Sequence, residues 1–162
     1  MLEYVDMDQV KKKILLIDDN EIVRLMFSNV FWLHGLDENY ALTTVGNTED
    51  AYTFIGNPST RPDIIFTGLV MPFEKDGKIF TSAEAGFSLL RKIKSAPSTS
   101  SIRVIIFSGF NEDEYKKQAI ELGAEMYLKK GENMPQDLIQ IIRSFDTDAN
   151  NKSGIYSGAN SG

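Results

Sequence analysis

The chain has no cysteine. Disulfides, thiolate metal centres and a cysteine nucleophile are excluded, and a reducing compartment suits such a chain. It also lacks any apolar run near the roughly 20 residues that span a bilayer, and its opening stretch MLEYVDMDQV is acidic with no apolar signal core. A cytoplasmic protein is expected. Basic residues are outnumbered, 17 Lys and Arg against 23 Asp and Glu, for a net charge of −6. That sign repels phosphate-rich partners, so neither nucleic acid nor an anionic membrane is an expected partner. There is no internal repeat or heptad array. The single histidine, His34, stands before Gly35 at the end of a helical pattern, where a C-terminal cap is the better reading than a reactive group.

What is present is an ordinary globular composition, 42% hydrophobic and 25% charged over 162 residues, enough for one domain with a sizeable core. Short β-branched runs alternate with stretches of helical period, the pattern of parallel strands joined by crossover helices. Ile14-Leu15-Leu16-Ile17 shows no polar alternation, as expected of a strand covered on both faces. Further strands are expected over 40–45, 64–67, 102–107 and 125–129. Helices are expected after Asp19 or Asn20, over 48–55, 82–94, 111–122 and 135–145. The first helix carries Ile22, Leu25, Met26, Asn29, Val30 and Leu33 along one side. Residues 73–81 read as a polar loop, long for this architecture. The domain layout is a leader over 1–10, one domain over 11–146 and a flexible tail over 147–162, rich in Gly, Ser and Asn.

In such an α/β chain a ligand binds at the carboxyl ends of the strands. The first strand ends in Asp18-Asp19, adjacent carboxylates that a hard divalent cation would reconcile; capping and solvation of the pair are an equally good reading. The fourth strand ends in Ser108 and the fifth leads to Lys130. A hydroxyl and an ammonium opposite two acids could hold a phosphoryl group. A turn residue and a solvated rim charge are the commoner roles of such residues.

Taken together, KKILLIDDNE, RPDIIFTGLVMP, VIIFSG and GAEMYLKKG resemble the receiver (response regulator) domain of two-component signalling, from about residue 12 to 145. The resemblance implies a single doubly wound α/β fold like flavodoxin, with five parallel strands in the order 2-1-3-4-5 and five helices in three layers. It implies a Mg²⁺ site using Asp18, Asp19 and the Val70 carbonyl, a switch hydroxyl at Ser108, a switch aromatic at Tyr127 and a phosphate-pairing Lys130. One position departs. Between Pro62-Asp63 and Met71-Pro72, the place of the family's phosphoaccepting Asp holds Gly68. Glycine can form no acyl phosphate and ligate no metal through a side chain, so Mg²⁺ binding should be weakened. Gly131, where the family usually has Pro, suggests a looser loop.

The favoured reading is a stand-alone pseudo-receiver in phosphorelay signalling that acts by protein contact, not an enzyme. Its partners would be a histidine kinase or a downstream target, meeting the fourth helix, fifth strand and fifth helix; a homodimer is a further option. Two alternatives stay open. One is a working receiver whose native Asp at 68 has been substituted. The other is a nucleotide or flavin binder on the same fold, although no Gly-rich phosphate loop follows the first strand.

Overall fold

The computed structural model describes residues 10–110, 112–133 and 135–155. Its elements are β1 (Lys12–Ile17), α1 (Glu21–Leu33), β2 (Tyr40–Val45), α2 (Thr48–Gly56), β3 (Ile64–Thr67), β4 (Met71–Lys75), β5 (Lys78–Ser82), α3 (Glu84–Ser95), β6 (Arg103–Ser108), α4 (Asp113–Glu121), β7 (Met126–Lys129) and α5 (Pro135–Ile155). A 3₁₀ turn, Leu36–Glu38, follows α1. Five strands form one sheet in the order β2-β1-β3-β6-β7, with every pairing parallel. With the β4–β5 pair set aside, this is the expected 2-1-3-4-5 order.

Both faces of the sheet are covered, which is why β1 is apolar without alternation. Ile14 and Leu16 face a cluster built by Phe27 and Phe31 of α1 and by Leu138, Ile139, Ile142 and Phe145 of α5. Leu15 and Ile17 face the opposite cluster, with Ala51 and Ile55 of α2, Phe87, Leu90 and Ile93 of α3 and Ala119 of α4. The expected orientation of α1 is corrected here. Phe27 and Phe31 face inward, Phe27 lying 5.5 Å from the Phe66 ring, while Ile22, Leu25, Met26 and Leu33 face outward. Only Val30 of the expected side packs against the core, and only partly. The helix is apolar nearly all round, so periodicity alone leaves its buried side open; the larger aromatic stripe takes the core.

His34 does cap α1, its N–H donating to the Val30 carbonyl at 3.1 Å, and Gly35 follows at φ +69°. Two other expectations are corrected. Residues 73–81 form a β-hairpin: β4 pairs antiparallel with β5, and Asp76 and Gly77, both at positive φ, make the turn. Two successive left-handed residues are what a tight hairpin turn with the right twist requires. The last helix runs to Ile155 instead of ending near Phe145, so the first part of the expected tail is helical; residues 156–162 lie outside those described. Asp146 holds the chain in register at that point, its carboxylate accepting from the Tyr40 hydroxyl and pairing with Lys12 at 2.9 Å. Desolvation pushes its acidity one way, but Tyr40 and Lys12 prevail and hold the carboxyl below the usual range.

The hairpin returns the chain to α3 at a close crossing. A Cβ at Gly86 would lie 2.8 Å from the Leu69 Cα, and the Gly86 N–H donates to the Leu69 carbonyl at 3.0 Å. Backbone on backbone cannot yield as a flexible side chain does. Gly86→Ala should therefore cost about 2 kcal/mol, seen as a lower urea midpoint at unchanged slope.

Candidate functional site

The carboxyl ends of β1, β3, β6 and β7 lie side by side, so the parallel register brings together residues far apart in sequence. Ile17 pairs with Thr67, Thr67 with Ile106, and Ser108 with Lys129. The residues at or just past these strand ends line the site. Asp18 N–H donates to the Val45 carbonyl at 3.1 Å, Gly68 N–H to the Ile17 carbonyl at 2.8 Å, and Lys130 N–H to the Ser108 carbonyl at 2.9 Å. Sequence reasoning thus places Asp18, Gly68, Ser108 and Lys130 at one end of the sheet.

Asp18 is the centre of the polar set and is almost wholly buried, at 1% exposure. Its Oδ1 accepts from the Asn20 N–H at 2.9 Å, and Asn20 in turn caps α1 by accepting from Ile22 N–H. This ordering of the first turn is ordinary helix-capping chemistry. Oδ2 lies 2.7 Å from Lys130 Nζ. The approach gives full Coulomb attraction but misses hydrogen-bond geometry, so Oδ2 has no hydrogen-bond donor among the described residues. The Lys130 ammonium, partly exposed, also lies 5.7 Å from the centre of the Phe107 ring.

Asp19 is exposed, and no hydrogen bond or ion pair holds it among the described residues. Gly68 is buried. A Cβ there would meet only Met71 Sδ at 3.3 Å and Cγ at 3.5 Å, with the Ile17 carbonyl at 3.8 Å. The space next to Gly68 is bounded by a flexible thioether, not by rigid backbone. Val70 sits in the following turn, packed in part against the core. Ser108 is buried and its Oγ accepts from the Phe110 N–H at 3.1 Å. The Tyr127 ring is turned inward, and its hydroxyl donates to the Phe110 carbonyl at 2.5 Å. Burial pushes the phenol pKa up, with the Ser108 hydroxyl pulling the other way. Ser108 and Tyr127 thus both fasten Phe110, in the loop that leads to α4.

Two contributors went unseen in the sequence. Arg24 donates from Nη1 to the Asp18 carbonyl at 2.6 Å and packs against Gly46, where a Cβ would lie 3.1 Å away. Its position one turn into the helix after the acidic pair was the available signal. The second is Met71, fully buried against Gly68. For a divalent metal, Asp18 Oδ2 is an orphaned ligand and Asp19 an accessible one. No group of three acidic or histidine side chains comes together among the described residues, however. A hard ion that wants six oxygens finds an incomplete set with an ammonium already against it.

A family model described as the response regulator receiver domain matches residues 14–143. The chain belongs to this family. The receiver domain is 32% identical over 130 residues to the gliding motility regulatory protein of Myxococcus xanthus, covering 80% of this chain and 15% of that protein. It spans about half or less of the first curated relatives it matches, covering 15%, 14% and 52% of them. Among solved structures, it is similar to a CheY-like receiver domain protein of Methanospirillum hungatei, with a TM-score of 0.69, 18% identity, and 88% and 98% of the two chains covered. It is also similar to the Mn²⁺-bound form of response regulator Rcp1, with a TM-score of 0.64, 20% identity, and 84% and 92% covered. The flavodoxin-like five-stranded fold is that of these structures, and the domain is a module of two-component signalling. No helix among the described residues is long and apolar enough to cross a membrane.

Proposed function

We propose that this receiver domain is a pseudo-receiver: it keeps the scaffold and most of the pocket, takes no phosphoryl group, and signals by protein contact. The observation that carries the reading is Gly68, buried just past the end of β3 where the family resemblance puts the acceptor, beside an Asp18 carboxylate that Lys130 already neutralises. A side chain of one hydrogen offers no oxygen for an acyl phosphate. The metal site is weakened for the same reason; a Mn²⁺-bound neighbour of the same fold supports a vestigial site at Asp18, Asp19 and Val70 rather than its complete loss. What remains is a pocket of fixed state. Ser108 and Tyr127 anchor Phe110 just before α4, and the α4, β7 and α5 face is presented constitutively to a signalling partner.

The test is intact mass after incubation with Mg²⁺ and a small phosphodonor. The parent chain is expected to stay unmodified while Gly68→Asp gains one phosphoryl group. A phosphoryl adduct on the parent would overturn the proposal.

One observation favours a second reading. Only the Met71 thioether crowds a Cβ at residue 68, so a shift of a few tenths of an ångström admits the first atom of a side chain there. The pocket therefore also suits a working receiver, served by a histidine kinase, whose native Asp has been replaced. In both readings Gly68→Asp accepts phosphate; they part over function in cells, where restored kinase-dependent output with Gly68→Asp supports the second.

A further inference from the structure

Helix α1 has a second apolar face that nothing among the described residues covers. Ile22 is 66% exposed, Leu25 57%, Met26 42%, Trp32 68% and Leu33 75%, on a helix whose Phe27 and Phe31 already fill the core side. The stripe carries no charge; its one polar member is the exposed Asn29. At these exposures the five side chains present roughly 600 Å² per chain, at the upper end of what a monomer leaves bare. Doubled, that is on the order of 1,200 Å², the lower bound of a specific stable interface. The α4 side offers a smaller patch, its large exposed side chains among the described residues being Ile120 and, in the loop before the helix, Phe110.

The spacing of the stripe says what fits it. Ile22, Met26, Asn29 and Leu33 follow one another at intervals of four, three and four, which read the same from either end. A second α1 laid antiparallel therefore sets Ile22 against the partner's Leu33 and Met26 against the partner's Asn29. Leu25 and Trp32 lie together on one flank of the stripe, at 100° per residue. Turning a copy antiparallel keeps that flank on the same side, so Trp32 meets the partner's Leu25. The Asn29 amides come within about one helical turn of each other across the two-fold axis, where an amide can both donate and accept. In such a pairing the helix dipoles also oppose.

We infer that two copies of this chain associate through α1, packed antiparallel about a two-fold axis between residues 27 and 28. The interface is isologous and lies on a different face from α4 and β7, so a dimer leaves the α4 and β7 part of the proposed output surface free, while α5 lies beside α1.

Light scattering or sedimentation equilibrium on the full chain tests this. The expected mass at high micromolar concentration is twice 18.2 kDa. Leu25→Glu with Leu33→Glu should return it to the monomer value, with at least about a hundredfold rise in the dissociation constant. Both positions are exposed, so the circular dichroism and melting temperature of the dilute variant should match the parent. The absence of native cysteine allows a test of direction. Under mild oxidation, a mixture of Ile22→Cys and Leu33→Cys chains should cross-link as heterodimers, while Ile22→Cys alone should not. A parent that stays monomeric, a dimer that survives the double Glu substitution, or cross-linking of Ile22→Cys with itself would each overturn the inference.

Discussion

Lys130→Met should destabilise the domain by about 3 kcal/mol, because it leaves the buried Asp18 carboxylate with no counter-charge. The low end of the range for broken buried pairs applies, since the ammonium is 28% exposed and some of its work is already done by water. For a domain of this size that is a fall in melting temperature of roughly 6–12 °C. Removing the other partner should cost less. In Asp18→Asn the lysine is free to turn toward solvent, and the amide oxygen still accepts from Asn20 N–H. Asp18→Asn combined with Lys130→Met should recover most of the loss, because no buried charge remains to be paired. Thermal melts of the three variants check the order. If Lys130→Met melts with the parent, the pair is a surface contact in energetic terms and the pocket is wetter than its geometry shows.

The second large effect concerns metal. Gly68→Asp would add a third carboxylate at the end of β3, next to Asp18 at the end of β1, and should tighten Mg²⁺ binding by at least about a hundredfold. The parent should show no saturation at micromolar Mg²⁺. The reason is the donor set: an exposed Asp19 and a lysine-paired Asp18 must supply what three carboxylates otherwise share. Amide shifts of the β1–α1 and β3–β4 loops are the proper readout. Trp32 is a poor one, because it lies at the far end of α1, about 18 Å along the helix from Asn20. Ligand linkage gives an independent check: Mg²⁺ should raise the melting temperature of Gly68→Asp and leave that of the parent unchanged. Micromolar saturation of the parent would show that two carboxylates suffice.

The sheet was legible because its strands obey a strong rule. Runs such as Ile14 to Ile17 and Ile64 to Phe66 are apolar on both faces, and helices alternate with them, so parallel order and crevice position follow together. The positions of the candidate site residues were legible for a related reason, Asp18, Gly68 and Lys130 standing just past strand ends and Ser108 at one. What escaped reading had physical causes. The hairpin was hidden by polar residues on its open face: of β4 and β5 mainly Phe73 and Phe80 pair as rings, 5.9 Å apart, and the Asp76-Gly77 turn signal stands amid charges. The orientation of α1 could not be read because two apolar stripes compete on one helix. The length of α5 depended on Asp146 meeting Lys12 and Tyr40, a contact more than a hundred residues away in the chain. Arg24 is invisible to motif reading because it serves the site through the backbone carbonyl of Asp18 rather than through its carboxylate.

The bond between the first and last strand ends also has a kinetic meaning. Lys130 and Asp18 stand 112 positions apart, 130 − 18, and meet only after β3 and β6 have been laid between β1 and β7. Contacts of such long sequence separation are paid for late in folding, since loop closure must come first. The pair is therefore expected to form after the folding nucleus and to act as a latch on the unfolding rate, which stopped-flow unfolding of Lys130→Met checks. Opening it would let β7 and α5 leave the sheet sooner without slowing their return.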